Sequence, residues 1–465
     1  MKSQTELYYL IYDYYVTRIL FGHYKFGNAL PSMPNISDYF HLSIPTVRKA
    51  FALLEEKNYI KIEAPKAAMV TYKATADDYL RNIAVHLSTY KDGILDMRQM
   101  NPLLLGPLLE AGIKQWDEAT WETQWGEIKN INFDGMSLTI QLYTAALSSL
   151  HNDLILTFYR KINFYARIPY LRSEHDIMKG IIETVDTLTK DEVGAYLTNK
   201  LGAVYKDAYT HIFKIIQTLS PQFLEGEFPQ IPFEWSFYPR HSQIRYTLGA
   251  KIILEILYGA YPVGSFLPSL SQMVKRYQIP LITIRRTLAS LSDLGVVKSY
   301  QGKGTQVCLG QKDVDISGVS VQLGLKRLLE SLQFLSLTVR NVSRFTFEQV
   351  SEEALHEFLQ ALNQIHREEK DCLIVDVFLT FITKHCPCTI VCECYCKLTE
   401  CLATGYPLIL LKMKGDDYKR LYSNRILQTI QCTECMDREG IVAGWSEFFE
   451  EQRQWYRVFL AEEGR

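Results

Sequence analysis

The sequence predicts a mainly α protein in which a small unit of three helices and a β-hairpin occurs twice, each time followed by an all-α bundle. Three observations carry that expectation. First, part of the chain returns 237 positions later without a gap. Ile19-Leu20-Phe21-Gly22 and Leu30-Pro31-Ser32 come back as Ile256-Leu257-Tyr258-Gly259 and Leu267-Pro268-Ser269, and Thr46-Val47-Arg48-Lys49 as Thr283-Ile284-Arg285-Arg286. Second, positive charge concentrates in the repeats. The chain of 465 residues has a formal net charge of −2, yet residues 1–75 hold nine Lys or Arg against six Asp or Glu, and residues 241–310 hold eight against two. Third, the long segments after each repeat show helical spacing, as in Leu138, Leu142, Ala145 and Ala146, or Leu325, Leu328, Leu329 and Leu332.

In the first copy, Leu7, Ile11, Tyr14, Tyr15, Arg18 and Ile19 predict a helix with one apolar face, and Gly22 stops it as a C-cap. Gly27 and Pro31 bracket a turn, and Pro31 with Ser32 suits a helix start. A second helix is expected near Ile36 to Phe40 and a third from about Pro45 to Lys57. Tyr59 to Ile62 and Met69 to Tyr72 are the strands of a hairpin. In the second copy the helices are expected near 243–258, 270–277 and 280–293, and the strands at 296–300 and 305–309, joined by the glycine-rich turn Gln301-Gly302-Lys303-Gly304. The domain expectation is 1–75, a helical domain 76–225, a proline-rich linker 226–240, a second small module 241–310 and a second helical domain 311–465.

Hydrophobic residues at 47% and charged residues at 22% describe a globular chain. The polar start Met1-Lys2-Ser3-Gln4-Thr5-Glu6 is not a signal peptide, and no run approaches the roughly 20 apolar residues that span a bilayer. A cytoplasmic protein is expected. Ten cysteines in so long a chain are no disulfide scaffold. The sequence offers no phosphate-cradling loop, nucleophile constellation or His-rich metal site, so an enzyme is not expected, and no cofactor.

Basic residues on the early part of a third helix, behind a turn and before a hairpin, suit insertion into the DNA major groove, which is wide enough for a helix. The second copy supplies Ile-Leu-x-Gly, then Tyr261-x-x-Gly264-x-x-Leu267-Pro268-Ser269, then Thr283-Ile284-Arg285-Arg286, then Gly302-Lys303-Gly304-Thr305. In these motifs the chain resembles the GntR family of bacterial transcription regulators. The first copy shares them except at the wing, where Ala64-Pro65-Lys66-Ala67-Ala68 replaces the glycine turn.

The resemblance implies two winged helix-turn-helix modules, a double-stranded DNA operator and a small-molecule effector. It implies DNA contacts from Thr46, Arg48, Lys49, Thr283, Arg285 and Arg286. Wing contacts would come from Lys303, Gly304 and Thr305, and phosphate contacts from Ser32 and Ser269 at helix starts. Two arginines usual in the family are replaced in each copy, by Pro34 and Ile44 and by Ser271 and Leu281. Arginine reads guanine bidentately, so a different operator or weaker readout per module is expected, with the covalent tandem restoring affinity. The chain is either a fused pseudo-dimer or a homodimer presenting four modules.

The helical halves resemble, more faintly, the FCD-type ligand domain of the same family. Asp96-Met97-Arg98, Leu142-Tyr143 with Asn152, and Glu174-His175 with Met178, Asp186 and Ala195 carry that likeness. The metal-ligand positions of that family fall on Thr139, Tyr143, His175 and Lys200, so only His175 is retained and no metal is expected there. Tyr143, Tyr159, Arg167 and His175 are candidate ligand-binding residues, with Tyr165 beside them; core packing is the competing role for the tyrosines. Asp376-Val377-Phe378 and the helices from Ser423 onward suggest the same fold in the second half. Nine of the ten cysteines lie there, in Cys372, Cys386, Cys388, Cys392, Cys394, Cys396, Cys401, Cys432 and Cys435. Buried structural cysteines are one explanation and a metal or redox site the other. The rival to a DNA-binding regulator is a sensor or interaction protein with degenerate DNA binding.

Overall fold

The computed structural model describes residues 4–40, 42–63, 67–129, 138–165, 174–224, 226, 228–237, 240–309, 314–315, 318–412 and 416–463. The chain forms two compact units, Met1–His151 with Leu156–Phe233, and Asn152–Ile155 with Glu234–Arg465.

The first unit begins with α1 (Gln4–Leu20), α2 (Met33–Phe40) and α3 (Ile44–Glu56), followed by the antiparallel strands β1 (Ile60–Lys61) and β2 (Met69–Val70). Apolar residues one helical turn apart close the core: Ile11, Tyr15 and Ile19 of α1 meet Val47, Phe51 and Leu54 of α3. Gly22 ends the first helix at φ +76°, and a Cβ there would come within 3.0 Å of the Tyr79 ring, so both backbone and space demand glycine. The hairpin of this unit keeps its base although its glycine turn is replaced. Ile60 faces Val70, both side chains are buried, and the Leu30 amide donates to the Ala68 carbonyl. Ala64, Pro65 and Lys66 lie outside the described residues.

The rest of this unit is helical: α4 (Ala76–Thr89), α5 (Lys91–Met100), a π-helical turn Asn101–Leu105, α6 (Gly106–Lys114), α7 (Glu118–Lys129), α8 (Leu138–Ser148), α9 (Asp153–Tyr165), α10 (Glu174–Val185) and α11 (Lys190–Phe223). A capping box between Thr75 and Asp78 starts α4. The long α11 packs along α4, α5 and α6, and α6 packs on α8. The stretch after α11, expected as a linker, is tied down. Ile231 donates its amide to the Thr89 carbonyl, Gln230 donates to the Ser88 carbonyl, and Phe233 is buried against Phe158 and Tyr165.

The second unit opens with α12 (Arg240–Leu257), α13 (Leu270–Tyr277), α14 (Leu281–Asp293), β3 (Val297–Tyr300) and β4 (Gly304–Val307). Here α12, α13 and α14 end 237 positions after α1, α2 and α3, and α13 and α14 also begin 237 positions after α2 and α3. The pairing Ile60–Val70 likewise returns as Val297–Val307, and the isolated bridge Ala29–Met69 as Phe266–Gln306. Ile252, Ile253 and Ile256 form the core with Ile284, Leu288, Leu291, Val297 and Val307.

Then follow α15 (Val319–Phe347), α16 (Glu352–Arg367), α17 (Ile374–His385), α18 (Thr389–Lys412), α19 (Asp416–Glu434) and α20 (Arg438–Glu463), with α15 lying along α18 and α20. Aromatic rings fill the centre, where Phe378 stacks on Trp445 at 3.8 Å and Phe347 on Phe381 at 5.1 Å. Trp235 is buried beside Phe334, and its amide donates to Glu393. The first helix of the small module is fastened to this bundle: Thr247 donates to Glu400 at 2.7 Å and Tyr258 to the buried Asp376 at 2.6 Å. Among the described residues no helix is long and apolar enough to cross a membrane.

Candidate nucleic-acid interface

The third helix of the second unit has two opposed faces. Ile284, Thr287, Leu288 and Leu291 are spaced to lie on one side and are buried. Arg285 and Arg286 fall on the other and are exposed, with Leu281, Ile282 and Ala289. Among the described residues no carboxylate pairs with either arginine. Thr287 locks the helix in place, its hydroxyl donating to the Thr283 and Arg245 carbonyls. Gln278, left-handed at φ +56°, closes α13 and turns the chain into α14.

The hairpin beside it forms a full wing. Val297 to Tyr300 pairs with Gly304 to Val307, and the Ser299 and Thr305 hydroxyls meet across the strands at 3.1 Å. Gly304 takes φ +108°, a conformation that a side chain strains, and this tightens the turn that leaves Lys303 exposed at its tip. Lys298 is exposed on β3 with its ammonium 5.8 Å from the Tyr300 ring.

The corresponding helix of the first unit is less free. Arg48 is exposed and, among the described residues, has no ion-pair partner. Lys49 is also exposed but leans back over the Tyr8 ring at 4.2 Å. Thr46 is only 5% exposed, and its hydroxyl shares a 2.8 Å hydrogen bond with Ser43. The expectation that Thr46 faces DNA therefore needs correction: the first turn of α3 rotates it inward, whereas Thr283 is half-exposed. Lys61 is paired with Glu63 at 2.7 Å, which neutralises charge at the base of that hairpin. Both serines at helix starts act within the protein. Ser269 caps α13 by accepting from the Gln272 amide, and Ser32 accepts from the Asn35 amide at 3.3 Å. Each remains exposed.

Of the candidate ligand residues, the described pair Tyr143 and Tyr159 lie in the interior rather than on an open pocket. Tyr143 is fully buried, stacked on Tyr159 at 5.3 Å. Its hydroxyl lies near the Asn101 side chain but outside hydrogen-bond geometry, and burial pushes its pKa up. Tyr159 is buried too, donating to the Ile140 carbonyl. Both tyrosines are thus core residues. Arg167 lies outside the described residues, and so does the His175 side chain, though its backbone belongs to α10. A concavity among the described residues of this unit sits elsewhere, an open groove of about 900 Å³ bordered by the polar side chains Gln115, Gln124, Glu127, Gln141, Ser148 and Arg160. Sequence reasoning missed it because it follows the outward side of α8, opposite the apolar stripe that defines the helix.

The cysteines follow burial. Cys386, Cys388, Cys394 and Cys401 are buried, while Cys396 and Cys435 are exposed. Burial pushes the Cys401 thiol up to about 12 and the Cys394 thiol well above its usual range, so neither is a thiolate at neutral pH. Among the described residues no group of three or more His, Cys, Asp and Glu side chains is arranged to hold a metal ion.

Residues 246–307 match the model of the gntR family of bacterial regulatory proteins. In this segment the chain is similar to GntR-type transcription regulators. An HTH-type transcriptional repressor of Salmonella typhimurium is 27% identical over 106 residues, which is 23% of this chain and 40% of the repressor. A probable fructoselysine utilization operon transcriptional repressor of Escherichia coli K12 is 31% identical over 67 residues, 14% of this chain and 28% of that protein. The chain thus spans less than half the length of these curated relatives, and both are named as transcription regulators rather than enzymes. The solved structure of Streptococcus agalactiae GntR aligns over 45% of this chain and 99% of its own, at 14% identity and a TM-score of 0.22. The GntR-type segment holds α14 and the wing, and the basic residues Arg285, Arg286 and Lys303 fall inside it. Lys298 and the exposed pair Leu281-Ile282 are further interface candidates; Lys298 follows Val297, the one buried residue of β3, and begins its exposed stretch.

Proposed function

We propose that this protein is a transcription regulator that binds a double-stranded operator through two winged modules. The module at 240–307 supplies the main readout and the one at 4–70 a weaker, second contact. One observation carries the reading: Arg285 and Arg286 stand, without an ion-pair partner among the described residues, on the outer face of a helix whose inner face is locked in the core, beside a lysine-tipped wing. A cationic helix held rigidly on one side suits groove insertion, with the wing lysines on phosphate. The 237-residue offset of every α1–α3 helix end supports an internal duplication, and the paired Lys61 and inward Thr46 explain why the first module would contribute less.

The helical parts would serve as FCD-like effector domains, with the open groove bordered by Arg160 and Gln141 as the effector site in place of the buried tyrosines. Operator binding is tested by selecting duplexes from random DNA with the full chain and titrating the selected duplex against Arg285→Ala. The expected result is a loss of affinity of about fivefold or more, since a bidentate base contact is worth about 1–3 kcal/mol. Equal affinity of the variant would remove the observation on which the proposal stands.

A further inference from the structure

The first turn of α14 is apolar and bare. Leu281 is 40% and Ile282 61% exposed, and neither joins the cluster built on Ile284, Leu288 and Leu291. A single exposed aliphatic side chain is ordinary on a protein surface. Two in succession are not placed at random here. Helical spacing puts Arg285 and Arg286 one turn beyond Ile282, on the same side. The apolar tip is therefore bordered by cations that have no ion-pair partner among the described residues, with Lys298 and Lys303 on the neighbouring wing. The same sequence of chemistry opens α3, where Ile44 is 42% exposed ahead of Arg48 and Lys49.

A partner that fits such a tip must be anionic around its edge and apolar at its floor. The major groove of DNA satisfies both demands, because phosphates line its rim and the C5-methyl of thymine projects from its floor. We propose that Leu281 and Ile282 form a reading tip that contacts thymine methyl groups, so that the half-site met by α14 carries a T·A pair at its first turn. This rests on the operator-binding reading above and adds the base it prefers. It also accounts for the bulk at Leu281: an aliphatic side chain cannot donate to guanine, but it gains from covering a methyl.

The test uses the full chain and a duplex selected by it from a random library, resynthesised with deoxyuridine in place of each thymidine in turn. Deoxyuridine keeps every hydrogen-bonding atom and removes only the methyl. The expected result is a fall in affinity of about fourfold at one or two positions, the value of one apolar carbon removed from water. In a chain carrying Ile282→Ser and Leu281→Ala, that sensitivity should vanish. An Arg285→Ala chain should bind both duplexes less tightly while keeping the thymine preference. Thermal melting of each variant checks that these exposed positions leave the fold intact. If no deoxyuridine duplex differs from its parent, or if the double variant retains the difference, the tip does not read thymine, and operator binding stands unaffected. If the full chain selects no duplex at all, operator binding itself is overturned and this inference with it.

Discussion

On the proposed operator-binding reading, the charges on the second module set the salt dependence quantitatively. Lys275, Arg285, Arg286, Lys298 and Lys303 are exposed there, and among the described residues none is paired with a carboxylate; Arg276 is excluded because it is held by Glu255 at 3.2 Å. Each cation that neutralises a phosphate releases counterion, so log affinity falls against log salt with a slope of about −0.9 per contact. Five contacts give a slope near −4.5, or roughly a five-hundredfold loss between 50 and 200 mM salt. The first module adds at most Arg48 and Lys49, taking the slope to about −6. Fluorescence anisotropy of a labelled selected duplex, titrated at four salt concentrations, measures this directly. Lys303→Ala should make the slope shallower by about one unit without changing sequence preference. A wild-type slope shallower than about −2 would mean that these side chains do not meet phosphates, and the interface would have to lie elsewhere.

Other outcomes follow from particular neighbours. Thr46→Val should leave DNA affinity within about twofold, because that hydroxyl is buried and bonded to Ser43, whereas Arg48→Ala should reduce the salt slope by about 0.9. Gly304→Val places a branched side chain at φ +108° and costs about 1–3 kcal/mol of wing conformation, read as at least a severalfold drop in affinity for the selected duplex. Phe378→Ala removes the ring stacked on Trp445 and should destabilise the second unit by about 3–5 kcal/mol in urea denaturation. Burial raises the Asp376 carboxyl above its usual range, with the Tyr258 hydrogen bond partly opposing. A raised folded-state pKa means that its stabilisation is present at low pH and is lost as pH rises through that value. Asp376→Asn keeps an acceptor for Tyr258, so its stability relative to wild type should increase from pH 4 to pH 7; an unchanged difference would show that Asp376 does not titrate in this range.

The helices of the small modules were legible from local chemistry. Leu270–Tyr277 forms where Leu-Pro-Ser announces a helix start, and Leu281–Asp293 where apolar residues recur at helical spacing. Gly22 and Gly259 mark the ends of α1 and α12 because left-handed backbone at φ +76° and +90° favours glycine strongly enough to leave a mark in sequence. The inward face of α14 was equally readable, since periodicity alone separates Ile284 and Leu288 from Arg285 and Arg286. The neighbours of these faces were not readable. Tyr143 and Tyr159 looked as suited to a ligand as to a core, and only the stacking of their rings in a closed interior decides for the core.

By itself, then, the sequence determined which residues would sit on which side of each helix, where the helices would stop, and where positive charge would gather, because those properties depend on spacing along a few turns of chain. Only the tertiary structure decided that Lys49 leans on Tyr8, that Lys61 is cancelled by Glu63, that Asp376 receives the Tyr258 hydroxyl, and that Phe233 and Trp235 anchor a stretch resembling a loose linker. Each of these pairs, and each of those anchors, is set by which surfaces the folded backbone brings within contact distance. Spacing along the chain carries no record of that.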